Sequence, residues 1–301
     1  MRDALEYSVA TQLLALCRFG GVTPRLFEVL FRQYGCPENI LRASALSLMD
    51  MEGMTWDTAN RIASATEQLD EAELFARSLM DRDISVTTCF EKDYPQLLLE
   101  LNDPPPLLFV RGCLPRKEKR SVAIIGAENA TSNGIEVASR LGKRFAQDGV
   151  QVISSLSGGV DASAHLGCRS TGVESFAVVD CGFDHLQDAD TMPLAIDVVR
   201  TGGIISEYLP DQQSNEQTLA EANRLMVGMS QAVVVAEQYV DSIRTRDALS
   251  YCCHICKLAF LVIDPELETP FDRESLDYAV RNGAIIIEGY DRIDDIIRSL
   301  V

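Results

Sequence analysis

Small residues, hydroxyls and amides gather in a few stretches whose types and spacing point to anion binding. Ser154-Ser155-Leu156-Ser157-Gly158-Gly159-Val160-Asp161 joins serine hydroxyls to a pair of glycines. Such a loop lets the backbone approach a ligand closely and aims free amides at one point, as oxyanion cradles do. Asp161 is placed to cap a helix that follows. A second stretch runs from Gly126 to Gly134 through Glu128, Asn129, Thr131 and Ser132. Its two glycines do not make a GxGxxG fingerprint, which argues against a dinucleotide, but amides at the start of a helix suit a single phosphate. Ser206 and Glu207 end a third stretch, and Asn223-Arg224 adds an amide beside a guanidinium fork. Catalysis finds no such constellation. His165, His185 and His254 lie far apart, there is no GxSxG, and no carboxylate pair stands out. The run Cys252-Cys253-His254-Ile255-Cys256 is the one candidate for metal. A single helical turn cannot wrap four ligands tetrahedrally, so it reads as a helix carrying reduced thiols, and no cofactor is implied.

Alternating strands and helices must position these loops. From Ser121 onward, short continuous apolar runs alternate with helical segments. The strands are expected at 122–125, 150–154, 175–179, 204–207, 232–236, 258–263 and 285–287, with a helix after each. That is the pattern of an α/β, Rossmann-like, doubly wound and mostly parallel sheet, with ligands at the carboxyl ends of the strands. Residues 1–82 read instead as a small all-helical domain, with helix starts at Ser44 and Thr55, the latter helix running towards Leu79. Its Gly21-Val22-Thr23-Pro24 and Gly53-Met54-Thr55-Trp56 turns are of the helix-hairpin-helix kind. Residues 83–301 form the second domain.

The chain has 301 residues, 47% of them hydrophobic, enough to build a core without disulfides. No apolar stretch reaches the ~18 residues of a membrane span, and the N-terminus has no cleavage site, so a cytoplasmic location is expected. Against 27 Lys and Arg stand 45 Asp and Glu, a formal net charge of −18. That balance excludes a protein that grips nucleic acid or anionic membrane by an overall basic field, and any anion site must be local.

Tyr94-Pro95, Asp103-Pro104-Pro105 and Leu108-Phe109-Val110-Arg111-Gly112, followed by 122–126 (VAIIG), 154–165 (SSLSGGVDASAH), 202–208 (GGIISEY), 222–237 (ANRLMVGMSQAVVVAE) and 281–289 (RNGAIIIEG), resemble the bacterial DNA-processing protein A family, DprA or Smf, in order and over nearly the whole chain. The resemblance implies a Rossmann-like core behind a sterile-alpha-motif-like helical domain. It also implies a non-enzymatic, homodimeric protein that binds single-stranded DNA without base specificity, acts in DNA uptake, natural transformation and recombination, and loads a RecA-like recombinase. By that resemblance Gly126, Ser155, Ser157, Gly159, Asn223 and Arg224 line a backbone-phosphate site.

The departures from the family pattern fall on cations. Glu128 stands where the family's first loop carries Arg, Gly158 where its second loop carries Arg or Lys, and Ala222 where its paired arginines begin. Ser155 and Ser157 replace Gly and Ala, and 239–245 replaces a Ser-Gly-Ser run. At about 1.5–3 kcal/mol for each charged contact, these changes weaken phosphate binding by several kcal/mol. A scaffold that has lost DNA binding and works through protein partners is the alternative reading. A nucleotide-binding or phosphoribohydrolase-like protein is a further one, although the PGGxGTxxE signature of such hydrolases is missing.

Overall fold

The computed structural model describes residues 4–186, 192–238, 243–264 and 271–300. The chain divides into two compact units, residues 1–94 with 99–110, and residues 95–98 with 111–301.

The first unit begins with α1 (Val9–Arg18), α2 (Pro24–Tyr34), α3 (Pro37–Leu41), α4 (Ala45–Leu48), α5 (Trp56–Ser64) and α6 (Leu69–Met80). Ser8, Thr23, Ser44 and Thr55 each accept a hydrogen bond from the amide three residues ahead, which satisfies one of the donors a helix start leaves open. Ser44 and Thr55 therefore cap as their spacing predicts. The helix expected from Thr55 towards Leu79 is instead two, separated by a 3-10 turn at Ala65–Gln68. The tighter winding shifts the phase of the apolar stripe between Ala59 and Ile62 on α5 and Leu69, Ala72 and Leu79 on α6, all of which are buried. A hairpin closes this unit, with β1 (Ser85–Thr88) antiparallel to β2 (Leu107–Gly112) and Ser85 opposite Val110.

In the second unit the chain runs β3 (Ser121–Gly126), α7 (Ser132–Gln147), β4 (Gln151–Ser155), α8 (Gly159–Arg169), β5 (Ser175–Val178), α9 (Met192–Thr201), β6 (Gly203–Ser206) and α10 (Glu216–Met229). It continues through β7 (Ala232–Glu237), α11 (Ile243–His254), β8 (Leu258–Ile263), α12 (Arg273–Arg281), β9 (Ile285–Glu288) and α13 (Ile293–Ser299). The strands lie in the order β6-β5-β4-β3-β7-β8-β9, every neighbouring pair parallel. Every residue of β3, β4 and β7 is buried, as continuous apolar runs covered on both faces require. Val122, Ile124, Val152 and Val234 of the sheet pack with Leu141, Phe145, Val160 and Ile296 of the helices into one core. The expected doubly wound α/β architecture is the one observed.

Topology then selects one crevice. The chain moves outward from β3 to β6 and returns to the other side of β3 as β7, so the strand order reverses between β3 and β7. Ligands of open α/β sheets sit at such a reversal, outside the carboxyl ends. Here the register slips by one residue. Ile125 faces Val235 but Gly126 faces Glu237, and a carboxylate side chain stands at the lip.

Candidate functional site

Loop β4–α8 carries the serines. Ser155 donates from Oγ to Oδ2 of Asp161 at 2.6 Å and accepts from the amide of Ser157 at 3.0 Å. Gly158, and not Asp161, is the N-cap residue of α8. Asp161 sits inside the first turn because its carboxylate is drawn towards a buried cation instead of back to the helix start. That cation is Arg244 in the first turn of α11. Its guanidinium reaches Oδ2 of Asp161 at 3.1 Å, donates to Oγ of Ser157 at 2.6 Å and donates from Nε to Oδ1 of Asn223 at 3.2 Å. Asn223 returns a bond from Nδ2 to the Arg244 carbonyl at 3.3 Å. Ser155, Ser157, Asn223 and Asp161 are thus one network centred on Arg244. Burial pushes the Asp161 pKa up, opposed by Arg244 and by the Ser155 hydroxyl.

The glycines hold these loops together. Gly159 has φ +62°, and a Cβ there would lie 2.2 Å from the Glu128 carbonyl oxygen. A Cβ on Gly126 would lie 2.6 Å from a Val160 methyl, and the Val160 amide donates to the Ala127 carbonyl at 3.1 Å. Both glycines permit the β3–α7 and β4–α8 loops to meet. The exposed Glu128 lies on the first of these loops.

Arg224 projects from α10 and donates to Oε2 of Glu207 at 2.7 Å, with the two side chains 10% and 3% exposed. Glu207 directly follows β6, so the third strand end supplies the counter-charge to the arginine that the sequence offers as a phosphate fork. At the reversal point the fully buried Glu237 accepts the Thr131 amide on both carboxylate oxygens, at 3.1 and 3.0 Å. Thr131 is the N-cap of α7. The carboxylate therefore fills the helix N-terminus that the sequence presents as a phosphate seat, and a Cβ on Gly134 would collide with it.

His165 fixes the floor beneath Ser155. Its Nε2 lies 3.1 Å from the Ser155 carbonyl and its Nδ1 lies 2.9 Å from the Ser175 hydroxyl. A carbonyl can only accept, so Nε2 carries the proton and Nδ1 accepts from Ser175. Burial lowers the His165 pKa to about 4, which keeps the ring neutral.

Taken together, Arg244 pairs with Asp161 and Arg224 with Glu207, while the Glu237 carboxylate accepts the Thr131 amide. Each of the two arginines is thus bound to a buried carboxylate of the fold. Sequence reasoning missed Arg244 and Glu237. The available signal for Arg244 was Asp161 itself, an acid beside a Gly-Gly turn in an apolar setting that demands a cation. The basic strip 116–120 belongs to the opposite end of the sheet, where Arg116 and Lys119 pair with Glu174 and Arg120 donates to the Ile297 and Asp148 carbonyls. Of the cysteine run, Cys252 is buried while Cys253 and Cys256 are exposed. Among the described residues no group of His, Cys, Asp or Glu gathers to hold a metal, and no described helix is long and apolar enough to cross a membrane. Residues 239–242 of the divergent stretch lie outside the described residues.

A family model described as DNA recombination-mediator protein A matches residues 85–259. Protein Smf of Synechocystis sp. is 27% identical over 228 residues, which cover 74% of this chain and 57% of that protein. The DNA processing protein DprA of Bacillus subtilis is 27% identical over 158 residues, 52% of this chain and 53% of the relative. The matched part of the chain thus spans little more than half the length of these relatives. Among solved structures, DNA processing protein A from Streptococcus pneumoniae superposes with a TM-score of 0.78 at 20% identity, covering 96% of this chain and 98% of that one. DNA processing protein A from Helicobacter pylori, whose structure is described by its single-stranded DNA binding mode, gives a TM-score of 0.60 at 19% identity over 72% of this chain and 97% of that one.

Proposed function

Because the chain belongs to the DNA recombination-mediator protein A family, whose members act in DNA processing, we propose that it is a non-enzymatic protein that holds single-stranded DNA at the carboxyl ends of β3, β4 and β7. Strand uptake, recombination and delivery to a RecA-like recombinase are the roles proposed for it, as a homodimer. The observation that carries the reading is Arg244. It is anchored by Asp161, Ser157 and Asn223 beside Gly158, so a guanidinium from α11 stands next to the loop position where the family pattern has its own cation. Asn223 and the serine hydroxyls supply neutral donors of the kind that position a phosphate backbone without reading bases. The single-stranded DNA bound by the Helicobacter pylori relative supports the choice of ligand.

A gel-shift titration with oligo-dT at low salt tests the proposal. Retardation that weakens in Arg244→Ala supports it, and no retardation at high protein concentration overturns it. The second reading is a scaffold acting through protein contacts, and the buried Glu237 at the α7 N-terminus favours it. A carboxylate that already occupies the anion seat, with both arginines internally paired, is the arrangement expected once DNA binding is lost. Failure of the oligo-dT titration in both the native protein and Glu237→Gln would select that reading.

A further inference from the structure

At the amino ends of β3, β4 and β7 the second unit holds a recess that the DNA reading leaves unused. It has a volume of ≈ 140 Å³, room for one large apolar side chain. Leu97, Pro115 and the buried Met229 give it apolar walls, and Arg116, Lys117 and Lys119 stand along it. Among the described residues no carboxylate lines it, in a protein whose net charge is −18. Nor is the positive charge cancelled nearby. Glu174 pairs with Arg116 at 2.7 Å and with Lys119 at 3.2 Å, so a single carboxylate serves two cations. Lys117 is exposed and makes no ion pair with a described residue. Arg120 donates to the Ile297 and Asp148 carbonyls, which carry no formal charge. With Glu118 counted as the loop's own acid, the four cations of 116–120 still exceed Glu118 and Glu174 by two charges.

The loop that carries these cations is held in one place. Buried Gln151 accepts the Arg116 amide on Oε1 at 2.7 Å and donates from Nε2 to the Arg116 carbonyl at 3.0 Å, and the Lys119 amide donates to the same carbonyl at 3.1 Å. Residues 116–119 thus form a closed turn, already ordered before any partner arrives, which lowers the cost of binding. The remaining polar wall is occupied by the fold itself. The Ser121 amide donates to Oε1 of Gln231 at 3.0 Å, and the Ser121 hydroxyl donates to the Met229 carbonyl at 3.2 Å. No aromatic ring among the described residues lines the recess, so it offers no platform on which a base could stack. Fixed cations beside an apolar hollow, without stacking surfaces, favour a polypeptide over a nucleic acid.

We infer that this recess docks an acidic segment of a protein partner, with carboxylates on Arg116, Lys117 and Lys119 and one large apolar side chain between Leu97, Pro115 and Met229. Charge complementarity supplies the attraction and excludes basic segments, and the hollow fixes where along the segment the contact is made. The surface goes beyond the proposed DNA-backbone site. The six residues of β3 separate the two by roughly 20 Å, and no residue is shared between them.

Selection of a random phage-displayed peptide library on the full chain, followed by fluorescence anisotropy with an enriched sequence as a labelled peptide, tests the inference. The expected sequences join Asp or Glu to a Leu, Ile or Phe, and their binding weakens as salt rises. The double variant Lys117→Ala, Lys119→Ala changes one exposed and one half-buried side chain at the surface and leaves the fold intact. Its affinity for the peptide should fall roughly fivefold or more. Leu97→Ser should weaken the same peptide while keeping its salt dependence, because it alters the hollow and not the charge. The inference is overturned if no acidic sequence is enriched, if the lysine variant binds the peptide as well as the native protein, or if oligo-dT displaces the peptide and so claims the recess for nucleic acid. Peptide binding unchanged in Arg244→Ala, with oligo-dT retardation unchanged in the lysine variant, separates the fate of this surface from that of the DNA-backbone site.

Discussion

Arg244 and His165 illustrate what buried polar side chains do at the edge of this sheet. Arg244 is 13% exposed and Asp161 2%, so removing the cation leaves a carboxylate in a low-dielectric setting with neutral hydrogen-bond donors and no counter-charge from Arg244. Arg244→Ala is expected to lower unfolding free energy by about 3 kcal/mol in urea titrations near neutral pH. The deficit should shrink as pH falls. The Asp161 carboxyl ordinarily titrates at 3.8, and burial raises it in the fold. Without Arg244 the folded protein takes up the proton before the unfolded chain does, so acid relieves the variant. His165 acts in the opposite sense. Its folded pKa of about 4 lies below its ordinary 6.5, so the contribution it makes is complete above 6.5 and is lost as pH falls towards 4. That amounts to about 3 kcal/mol across the window, and His165→Asn should flatten the pH dependence of stability there. An unchanged slope would show that the ring is not held neutral.

At the scale of elements, the strands were legible because a strand buried on both faces has no other way to appear than as a short apolar run. The turns at Gly21 and Gly53 were legible for a similar local reason, since a left-handed backbone conformation is adopted cheaply only at glycine. Pairings across more than eighty residues were not. Arg244 meets Ser157, and Glu237 meets Thr131, only because β3 and β7 are neighbours in the sheet, and no spacing in the chain announces that. Asp161 was misread as a cap for the same reason, its partner being remote. The loop junction makes its own prediction. Gly159→Ala places a Cβ into the Glu128 carbonyl at a backbone angle that side chains rarely adopt, so the β3–α7 and β4–α8 loops must separate. A loss of about 2–4 kcal/mol is expected, measured as a fall in Tm, and Gly172→Ala, at a positive φ with open space around it, should cost no more than about 1 kcal/mol.

For the whole molecule, the net charge of −18 sets how any DNA contact responds to salt. A basic protein binds by releasing many counterions, and its affinity collapses between low and physiological salt. Here the one guanidinium anchored at the serine loop is Arg244, the Arg224 guanidinium is donated to Glu207, and the carboxylate of Glu237 takes the helix terminus that a phosphate would occupy. Oligo-dT affinity should therefore be weak, with a slope of log K against log salt of about −1, as one or two phosphate contacts give for single strands. Glu237→Gln keeps the shape of the side chain while removing its charge from the α7 N-terminus. The variant is expected to bind oligo-dT about two- to fivefold more tightly, because a charge at a helix terminus is worth about 0.3–1 kcal/mol. It should also lose about 1 kcal/mol of stability, since the Thr131 amide exchanges a charged acceptor for a neutral one. Measured together by fluorescence anisotropy and thermal melting, a gain in affinity with a loss in stability would mark Glu237 as an internal stand-in for phosphate. A loss in both would instead make it a purely structural brace between β7 and α7.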